Sequence, residues 1–388
     1  MKFFYLQTKS IFFYVLLLLP SLSFAQIINN GGGTVNTNGT NQSTAIQTAV
    51  PFLLITPDSR SGGMGEAGVA LSPDANANFW NPAKLAFIEN NNDLSVSYSP
   101  WLRSLTPDVS LSYLGYAHKL DERNTIGASI KYFNLGTIVG TGTDQSFQGN
   151  YTPNEFSIDG TLARSFGEDF SLGLTLRYIH SNLFSGTPAA STQQAKPGNA
   201  VAADISLYYK TKLEEFGHES TFAFGTNLSN IGTKISYSDN GDKLFLPANF
   251  RIGIANTINL DDVNQVTFAL DLNKLMVPTR ANSTNLSVPA GIFGSFTDAP
   301  GGFSEELQEI SFSPGVEYWY NKLFALRLGY YYQNPNKGGL RYLTLGTGFK
   351  YDDFGFDFSY IAASQQSSPL ANTLRFTLTA NFGSTTKQ

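Results

Sequence analysis

The chain has 388 residues, of which 14% are charged and 14% are aromatic, with 36 glycines and no cysteine. A typical soluble domain has about 25% charged residues, and the mean hydropathy of −0.13 is too polar for a bundle of transmembrane helices. The lack of cysteine excludes disulfides, thiolate metal sites and a lipid anchor, and a net charge of −5 without a basic block argues against nucleic acid. The composition therefore favours an exported β protein.

The first 25 residues predict a cleaved signal peptide. Lys2 and Lys9 form a basic start, an apolar run covers 11–19, and a small-x-small cleavage site covers 23–25. The apolar run is too short to span a bilayer stably. Residues 26–50 follow as a polar, low-complexity lead, which we expect to be flexible.

Residues 51–92 are rich in Gly and Ala and permit only short helical turns. Within them, Gly63-x-Gly65-x-x-Gly68 has the spacing of a dinucleotide-binding fingerprint. That fingerprint needs a preceding strand and a following helix in a parallel unit, and nothing around it supplies them. We expect these glycines instead to let the segment pack tightly inside a barrel wall.

From Asp93 onward, apolar and polar residues alternate with a period of two, which is typical of strands with one face in an apolar medium. In 170–178, for example, Phe, Leu and Tyr alternate with Ser, Gly, Thr and Arg. Fourteen such segments start near residues 93, 109, 123, 154, 169, 200, 220, 248, 263, 308, 322, 341, 353 and 372.

The connections between these segments alternate in length. Short, charged turns mostly follow the even-numbered segments, and long links often follow the odd-numbered ones: 136–153, 183–199, 232–247 and 275–307. An even strand number with short turns opposite long loops is typical of a bacterial outer-membrane barrel. We therefore predict an all-β protein, a fourteen-stranded transmembrane antiparallel barrel over 93–382 with a short tail over 383–388. Its long loops are expected to be extracellular and both termini periplasmic.

A soluble β-sandwich would also alternate, but its inward faces need bulk to fill a core. Here the polar face carries Gly, Ser, Thr and charged residues, so a barrel with lipid outside and a polar lumen fits better. The charges predicted to face the lumen are Lys131, Arg164, Arg177, Asp271, Arg327, Asp357 and Arg375. They could be acid/base groups or a selectivity ring, and paired polar filling is the plainer interpretation.

The sequence contains no zinc, phosphate or nucleophile motif, and its three histidines are scattered. We therefore predict no enzyme, no catalytic or metal site and no cofactor. Aromatic residues near strand ends are expected to form interfacial girdles. Five other aromatic residues fall in the long loops, where large apolar side chains are expected to meet a neighbouring loop, a partner protein or an apolar ligand: Phe184, Phe245, Phe293, Phe296 and Phe303.

A fourteen-stranded barrel after a Gly/Ala-rich segment ending in Asn81-Pro82-Ala83 resembles the FadL-like outer-membrane family, whose N-terminal segment forms a hatch inside the barrel. More narrowly, the phrase at 57–68 (PDSRSGGMGEAG), with those at 74–76 and 81–85, is similar to the PorV (LptO) family of the Bacteroidota type IX secretion system. The resemblance covers essentially the whole mature chain. It implies a hatch over about 51–92, to which it assigns Arg60, Gly63, Met64, Gly65, Gly68, Asn81, Pro82 and Ala83.

The resemblance also implies a non-catalytic function. PorV-like proteins associate with the giant translocon barrel, bind exported cargo by its C-terminal signal domain and pass it to the surface attachment (sortase-like) complex. The long loops with their phenylalanines would then face translocon and cargo, and outer-membrane lipid would surround the wall. The alternative is a FadL-like passive transporter of hydrophobic small molecules, which predicts an apolar pocket beside the hatch. An enzyme acting on the outer leaflet is a third, weaker alternative.

Overall fold

The computed structural model describes residues 46, 48–102, 106, 108–141, 147–183, 196–239, 241–279, 285–363, 370 and 372–384. The predicted signal peptide, residues 26–45 of the lead, Phe184 and the last four residues lie outside this part of the chain. The described residues belong to one compact unit that covers Ser43–Gln388. None of the helices among them is long and apolar enough to cross a membrane.

Fourteen antiparallel strands close into a barrel, which confirms the predicted fold class. They are β1 (Asn90–Pro100), β2 (Ser110–Lys119), β3 (Asn124–Asn134), β6 (Asn154–Ser165), β7 (Phe170–Asn182), β8 (Gly198–Glu215), β9 (His218–Gly232), β10 (Asn249–Asn259), β11 (Asn264–Leu275), β12 (Ile310–Tyr320), β13 (Phe324–Tyr332), β14 (Arg341–Tyr351), β15 (Phe354–Ala363) and β16 (Leu374–Ser384). Pairing of β1 with β16 closes the ring. A separate hairpin of β4 (Ile138–Thr141) and β5 (Phe147–Tyr151) lies within one long link.

Side chains alternate between the two faces of this wall. On β7, Leu172, Leu174 and Leu176 face outward and are exposed, whereas Ser171 and Thr175 face inward and are buried. Leu176 is 65% exposed, which is costly in water and favourable in lipid. The wall thus has an apolar outer face and a polar inner face.

One lumen charge was predicted on the wrong face. Arg164 is exposed on the outside of β6, on the same face as Leu162, and donates to Asn124 Oδ1 at 3.2 Å. The period of two decides its position, because Ala163 and Thr161 are the buried, inward residues.

Short turns join the strands at one end of the barrel, the short-turn end, and the long links lie at the other, the long-loop end. The described chain begins at the long-loop end, where Ala49 N donates to Phe245 O at 3.0 Å and Phe52 packs in an apolar cluster with Trp101. The last strand ends at Ser384, at the short-turn end. Residues 1–45 and the last four residues lie outside the described part of the chain, so the expected position of both termini at one end stays a prediction.

Residues 51–88, which we call the plug, lie inside the barrel as short helical segments. These are a 3₁₀ helix (Pro51–Leu54), α1 (Ser59–Gly62), α2 (Ala77–Trp80) and a second 3₁₀ helix (Pro82–Phe87). They contact β2, β3 and β6–β8 on one side and β14–β16 on another. Three further segments lie at the long-loop end: α3 (Val288–Gly294), α4 (Phe303–Gln308) and a 3₁₀ turn (Pro335–Lys337).

Candidate functional site: the plug and the long-loop surface

Arg60 joins the plug to the barrel wall through a chain of charges. Its guanidinium donates to both carboxylate oxygens of Glu317 on β12, at 2.8 and 3.0 Å, and to Asp74 at 3.2 Å. Glu317 also accepts from Arg327 Nε at 2.7 Å, and Arg327 Nη1 donates to Asp357 at 2.6 Å. Because a buried charge is costly unless it is paired, this chain supports paired polar filling of the lumen.

The three glycines of the Gly-x-Gly-x-x-Gly string lie where a side chain has no room. A Cβ on Gly63 would lie 2.9 Å from Gly346 Cα, one on Gly65 would lie 2.5 Å from Tyr330 N, and one on Gly68 would lie 2.3 Å from a ring carbon of Trp80. Gly65 also has a φ of +70°, which favours glycine. The string fits the plug to the wall, and no strand–helix unit surrounds it as a dinucleotide site requires.

Met64 and the backbone around Gly68 continue this fit. Met64 is fully buried, and its backbone lies so close to Gly315 and Gly329 that a Cβ on either would clash. Asp271 on β11 accepts from the backbone N of Gly68 at 2.7 Å. Lys84 donates to Gly68 O at 2.7 Å from within the plug. Backbone groups of the plug are thus paired with the wall and with the plug itself.

Asn81, Pro82 and Ala83 attach the C-terminal half of the plug to the barrel wall. Asn81 Nδ2 donates to the backbone oxygens of Val69 at 2.9 Å and Leu207 at 3.0 Å, so it joins the plug to β8. Its Oδ1 accepts from Ala83 N at 3.1 Å and begins the 3₁₀ helix, whose first residue is Pro82. Ala83 O accepts from Ser171 Oγ on β7 at 2.7 Å.

Three further contacts of the plug are not predictable from the sequence pattern. Asp58 accepts from Trp80 Nε1 at 2.6 Å, which ties the two halves of the plug together. Ser59 N donates to Thr377 Oγ1 on β16 at 2.9 Å. The third contact is the pairing of Arg60 with Glu317. The alternation along β12 predicts that Glu317 faces inward, but it does not predict that Arg60 is its partner.

A small cavity lies in the lumen beside residues 53–54 of the plug. A lumen cavity of about 10 Å³ is lined by Leu53, Phe79, Arg177 and Arg251, among others. That volume holds about one water molecule. This cavity is too small to hold a larger solute.

A second region of interest is an exposed apolar set at the long-loop end, which we call the loop surface: Leu286, Phe293, Phe296, Phe303 and Leu307. Phe293 is 73% exposed and Phe303 is 77% exposed. Isolated apolar residues on a surface are ordinary, whereas several large ones on one loop are a pattern typical of interaction sites.

Phe245 has a different environment from the other loop phenylalanines. It is 7% exposed and packs in an apolar cluster with Met276 and Ile292, and Lys234 Nζ lies 4.1 Å from its ring centroid. Of the three explanations for loop aromatics, contact with neighbouring loop residues therefore applies to Phe245, and it is not part of the loop surface.

A cluster of ion pairs fixes the segment that carries Phe303 and Leu307 of the loop surface. Lys274 contacts Glu306 at 2.9 Å and Glu309 at 2.5 Å, and Lys337 contacts Glu305 at 2.6 Å and Glu309 at 3.0 Å. The hydrogen bond from Lys337 lowers the pKa of Glu305. Burial alone would lower the pKa of Lys337, but its hydrogen bonds to the two glutamates raise it. These charge-assisted bonds fix α4 against the barrel rim.

Residue types that bind metal ions occur in both regions and at the histidines of the described chain. Among the described residues, no group of three His, Asp or Glu side chains is arranged to hold a metal ion. His180 stacks near Phe156 and contacts Asn199, and His118 contacts Asn92, so each is engaged with strand-end residues.

A closed wall with an apolar outer face and a polar, filled lumen defines an outer-membrane type of β-barrel protein. The model of a family described as the type IX secretion system protein PorV matches residues 38–282, which is more than half of the chain. The chain therefore belongs to the PorV family and is an integral outer-membrane protein of the type IX secretion system. A search of curated proteins found no significant match.

The chain is also similar to solved barrels. The Ralstonia pickettii toluene transporter TbuX is 14% identical, with 84% of this chain and 98% of that chain covered and a TM-score of 0.48. The Pseudomonas putida toluene transporter TodX is 13% identical, with 87% and 98% covered and a TM-score of 0.45. A Pseudomonas aeruginosa FadL homologue is 12% identical, with 85% and 98% covered and a TM-score of 0.43. Toluene transport is a property of TbuX and TodX and is not transferred to this chain.

Proposed function

We propose that this protein receives exported proteins at its long-loop end, through their C-terminal signal domain, and passes them to the surface attachment complex while associated with the translocon barrel. Family membership supports the secretion role. The loop surface, with three exposed phenylalanines, supports binding of a protein partner there. The chain carries out no chemistry in this proposal.

The proposal includes an orientation in the membrane. Outer-membrane barrels have short periplasmic turns and longer extracellular loops. On that basis the long-loop end faces the cell exterior and the short-turn end faces the periplasm. The loop surface is then extracellular, where exported cargo arrives.

The plug supports a role in binding rather than in conduction, and we propose that it acts as a hatch. It is tied to β8 through Asn81, to β12 through Arg60 and to β16 through Ser59. Transport through the lumen, as in the FadL-like alternative, would have to break these contacts in each cycle. We therefore place the working surface outside the lumen.

The double substitution Phe293→Ser/Phe303→Ser tests the proposal. Both side chains are mostly exposed, so their removal should leave the barrel folded and present in normal amount. We expect loss of co-purification of signal-bearing cargo in mild detergent, and failure of that cargo to become surface-attached. Heat-modifiable migration on a gel verifies the folded barrel.

Phe216→Ser is the matched control, because Phe216 is 95% exposed in the turn between β8 and β9 at the short-turn end. This variant should bind and attach cargo normally. Normal cargo handling by the double variant would contradict the proposed role of the loop surface, and equal loss in both variants would show that the effect is not specific to that surface.

A further inference from the structure

An apolar groove of about 790 Å³ lies on the outer side of the wall, near the long-loop end. Its walls are side chains of β7, β8 and β9, including Leu176, Val201 and Ile231. Ala203 and Gly232 supply the space, because larger side chains occupy most other outward positions of these strands. Pro289 of α3 lies at its upper margin.

An irregularity in the wall explains the groove. Ala203 pairs with Ile231, but Ile205 pairs with Leu228, so β9 carries one extra residue at this point. Asn230, within the bulge, has a φ of +59°. A bulge bends its strand and disrupts the local ladder, and the groove lies beside this one.

The groove is closed toward the lumen by polar contacts. Asp204 accepts from Asn230 N at 2.8 Å and from Arg177 Nη2 at 2.9 Å. Arg177 also donates to Asp159 at 2.7 Å. A molecule in the groove therefore faces the membrane and meets aliphatic side chains, with a buried ionic network behind it.

Two lysines lie on the link that follows the groove-lining end of β9. Thr233 is part of the groove lining, and Lys234 follows it directly in the chain. Lys243 is exposed on the same link, and burial together with Lys243 lowers the pKa of Lys234. Lysines just beyond the end of a lipid-facing strand are within the part of a barrel that meets lipid headgroups, and their ammonium groups can pair with a phosphate.

We propose that the groove binds an acyl chain of an outer-leaflet lipid whose phosphorylated headgroup contacts Lys234 and Lys243. The assignment of the leaflet depends on the proposed orientation. Two features favour a lipid over a protein segment: the groove opens on the lipid-facing wall, and its lining is mostly aliphatic, with the charge of Arg177 paired to Asp159 and Asp204 on the lumen side. Apolar burial would hold the chain, and charge would select the headgroup.

Native mass spectrometry of the whole protein, extracted from outer membranes in mild detergent, tests this proposal. The wild-type barrel should retain a phosphorylated lipid. Ala203→Phe should fill the groove and lower the retained fraction by about tenfold. Ala380→Phe is the matched control, since Ala380 lies on the outer face of β16, away from the groove, and should retain lipid as the wild type does.

Two further variants separate the parts of the site. Pro289→Trp fills the groove from α3 without altering a strand, so lipid loss in this folded variant would support the proposal even if Ala203→Phe failed to fold. Lys234→Gln/Lys243→Gln should reduce retention of added phosphatidic acid while retention of added diacylglycerol stays unchanged. Equal retention by the wild type, Ala203→Phe and Pro289→Trp, or retention of a peptide in place of lipid, would overturn the proposal. Normal cargo binding by Pro289→Trp would leave the proposed secretion role intact.

Discussion

The plug and the loop surface differ in how their side chains are satisfied: the polar groups of the plug are paired inside the protein, whereas the loop surface leaves apolar side chains exposed. The plug pairs its polar groups within the protein, and Arg60, Gly68 and Asn81 each direct hydrogen bonds to a different part of the structure. The loop surface is apolar where it meets water, with Phe293 and Phe303 mostly exposed. Hydrogen bonds satisfied inside the protein favour a plug that stays in place, and the exposed apolar area is the basis of the proposed partner binding at the loop surface.

The difference also determines how much a substitution in each region lowers the free energy of unfolding. Removal of a buried charge in the plug leaves its partners unpaired, which is expensive. Removal of an exposed phenylalanine costs little in folding and alters only what the surface can bind. Stability measurements should therefore respond to the plug, and binding measurements should respond to the loop surface.

The largest effect on stability is expected for Glu317→Gln. The substitution removes the charge that pairs with both Arg60 and Arg327 in a buried site. We expect the free energy of unfolding to fall by about 3 kcal/mol. The urea midpoint, followed by tryptophan fluorescence in detergent micelles, measures it. Glu122→Gln, in an exposed turn, should change the midpoint little, and similar midpoints for both variants would show that the charge chain does not hold the plug.

A smaller loss is expected for Gly65→Ala. The new Cβ would lie 2.5 Å from Tyr330 N, and alanine disfavours the φ of +70° at this position. Overpacking of this kind costs about 1–3 kcal/mol. The same urea experiment measures it, with Gly160→Ala as the control, because a Cβ there meets nothing within 4 Å. A Gly65→Ala barrel as stable as the control would argue against close packing of plug and wall.

The smallest effect is expected at the ion cluster and is local. Lys337→Met leaves Glu305 and Glu309 without one cation, so we expect local opening of the loop to become easier by about 1–2 kcal/mol and its cleavage by protease to be roughly tenfold faster. Lys196→Met, which removes an exposed ion pair with Asp239, should have much less effect on cleavage of 285–309. Unchanged cleavage in Lys337→Met would show that the ion cluster does not hold the loop surface in place.

The pH dependence of this cluster has a defined sign. The lowered pKa of Glu305 means that its contribution is present above the ordinary glutamate pKa of about 4.3 and is lost as pH falls through the lower folded value. The raised pKa of Lys337 means that its contribution is present below about 10.4 and is lost as pH rises through the higher folded value. Protease cleavage of the wild-type loop should therefore be slow between these limits and rise below about pH 4.

The barrel was predictable because its signal is repeated in every strand. Alternation with a period of two, with turns and loops of alternating length, was enough for the fourteen strands and their antiparallel order. The fit of Gly63 and Gly65 to the wall was also accessible, since closely spaced glycines indicate close backbone approach. Arg164 was misplaced because a shift of one residue in parity reverses the face of a side chain.

Contacts between distant parts of the chain were not predictable. Arg60 and Glu317 are 257 positions apart, and Ser59 and Thr377 are 318 apart, so no local pattern joins them. The groove depends on a bulge in β9, which a single extra residue creates within an otherwise regular alternation. The position of Phe245 depends on how two loops meet, and its own neighbours in sequence do not indicate its burial.

The central claim is that the protein works at its loop surface while the plug stays in place. A disulfide that locks the plug to the wall tests this claim most directly. The Oγ atoms of Ser59 and Thr377 are 3.1 Å apart, and the chain has no cysteine, so Ser59→Cys/Thr377→Cys should form a single, defined disulfide under oxidation. Surface attachment of signal-bearing cargo, compared before and after reduction, is the measurement. We predict equal attachment in the locked and reduced states. Attachment lost in the oxidised protein and restored by reductant would contradict the account and show that the plug must move.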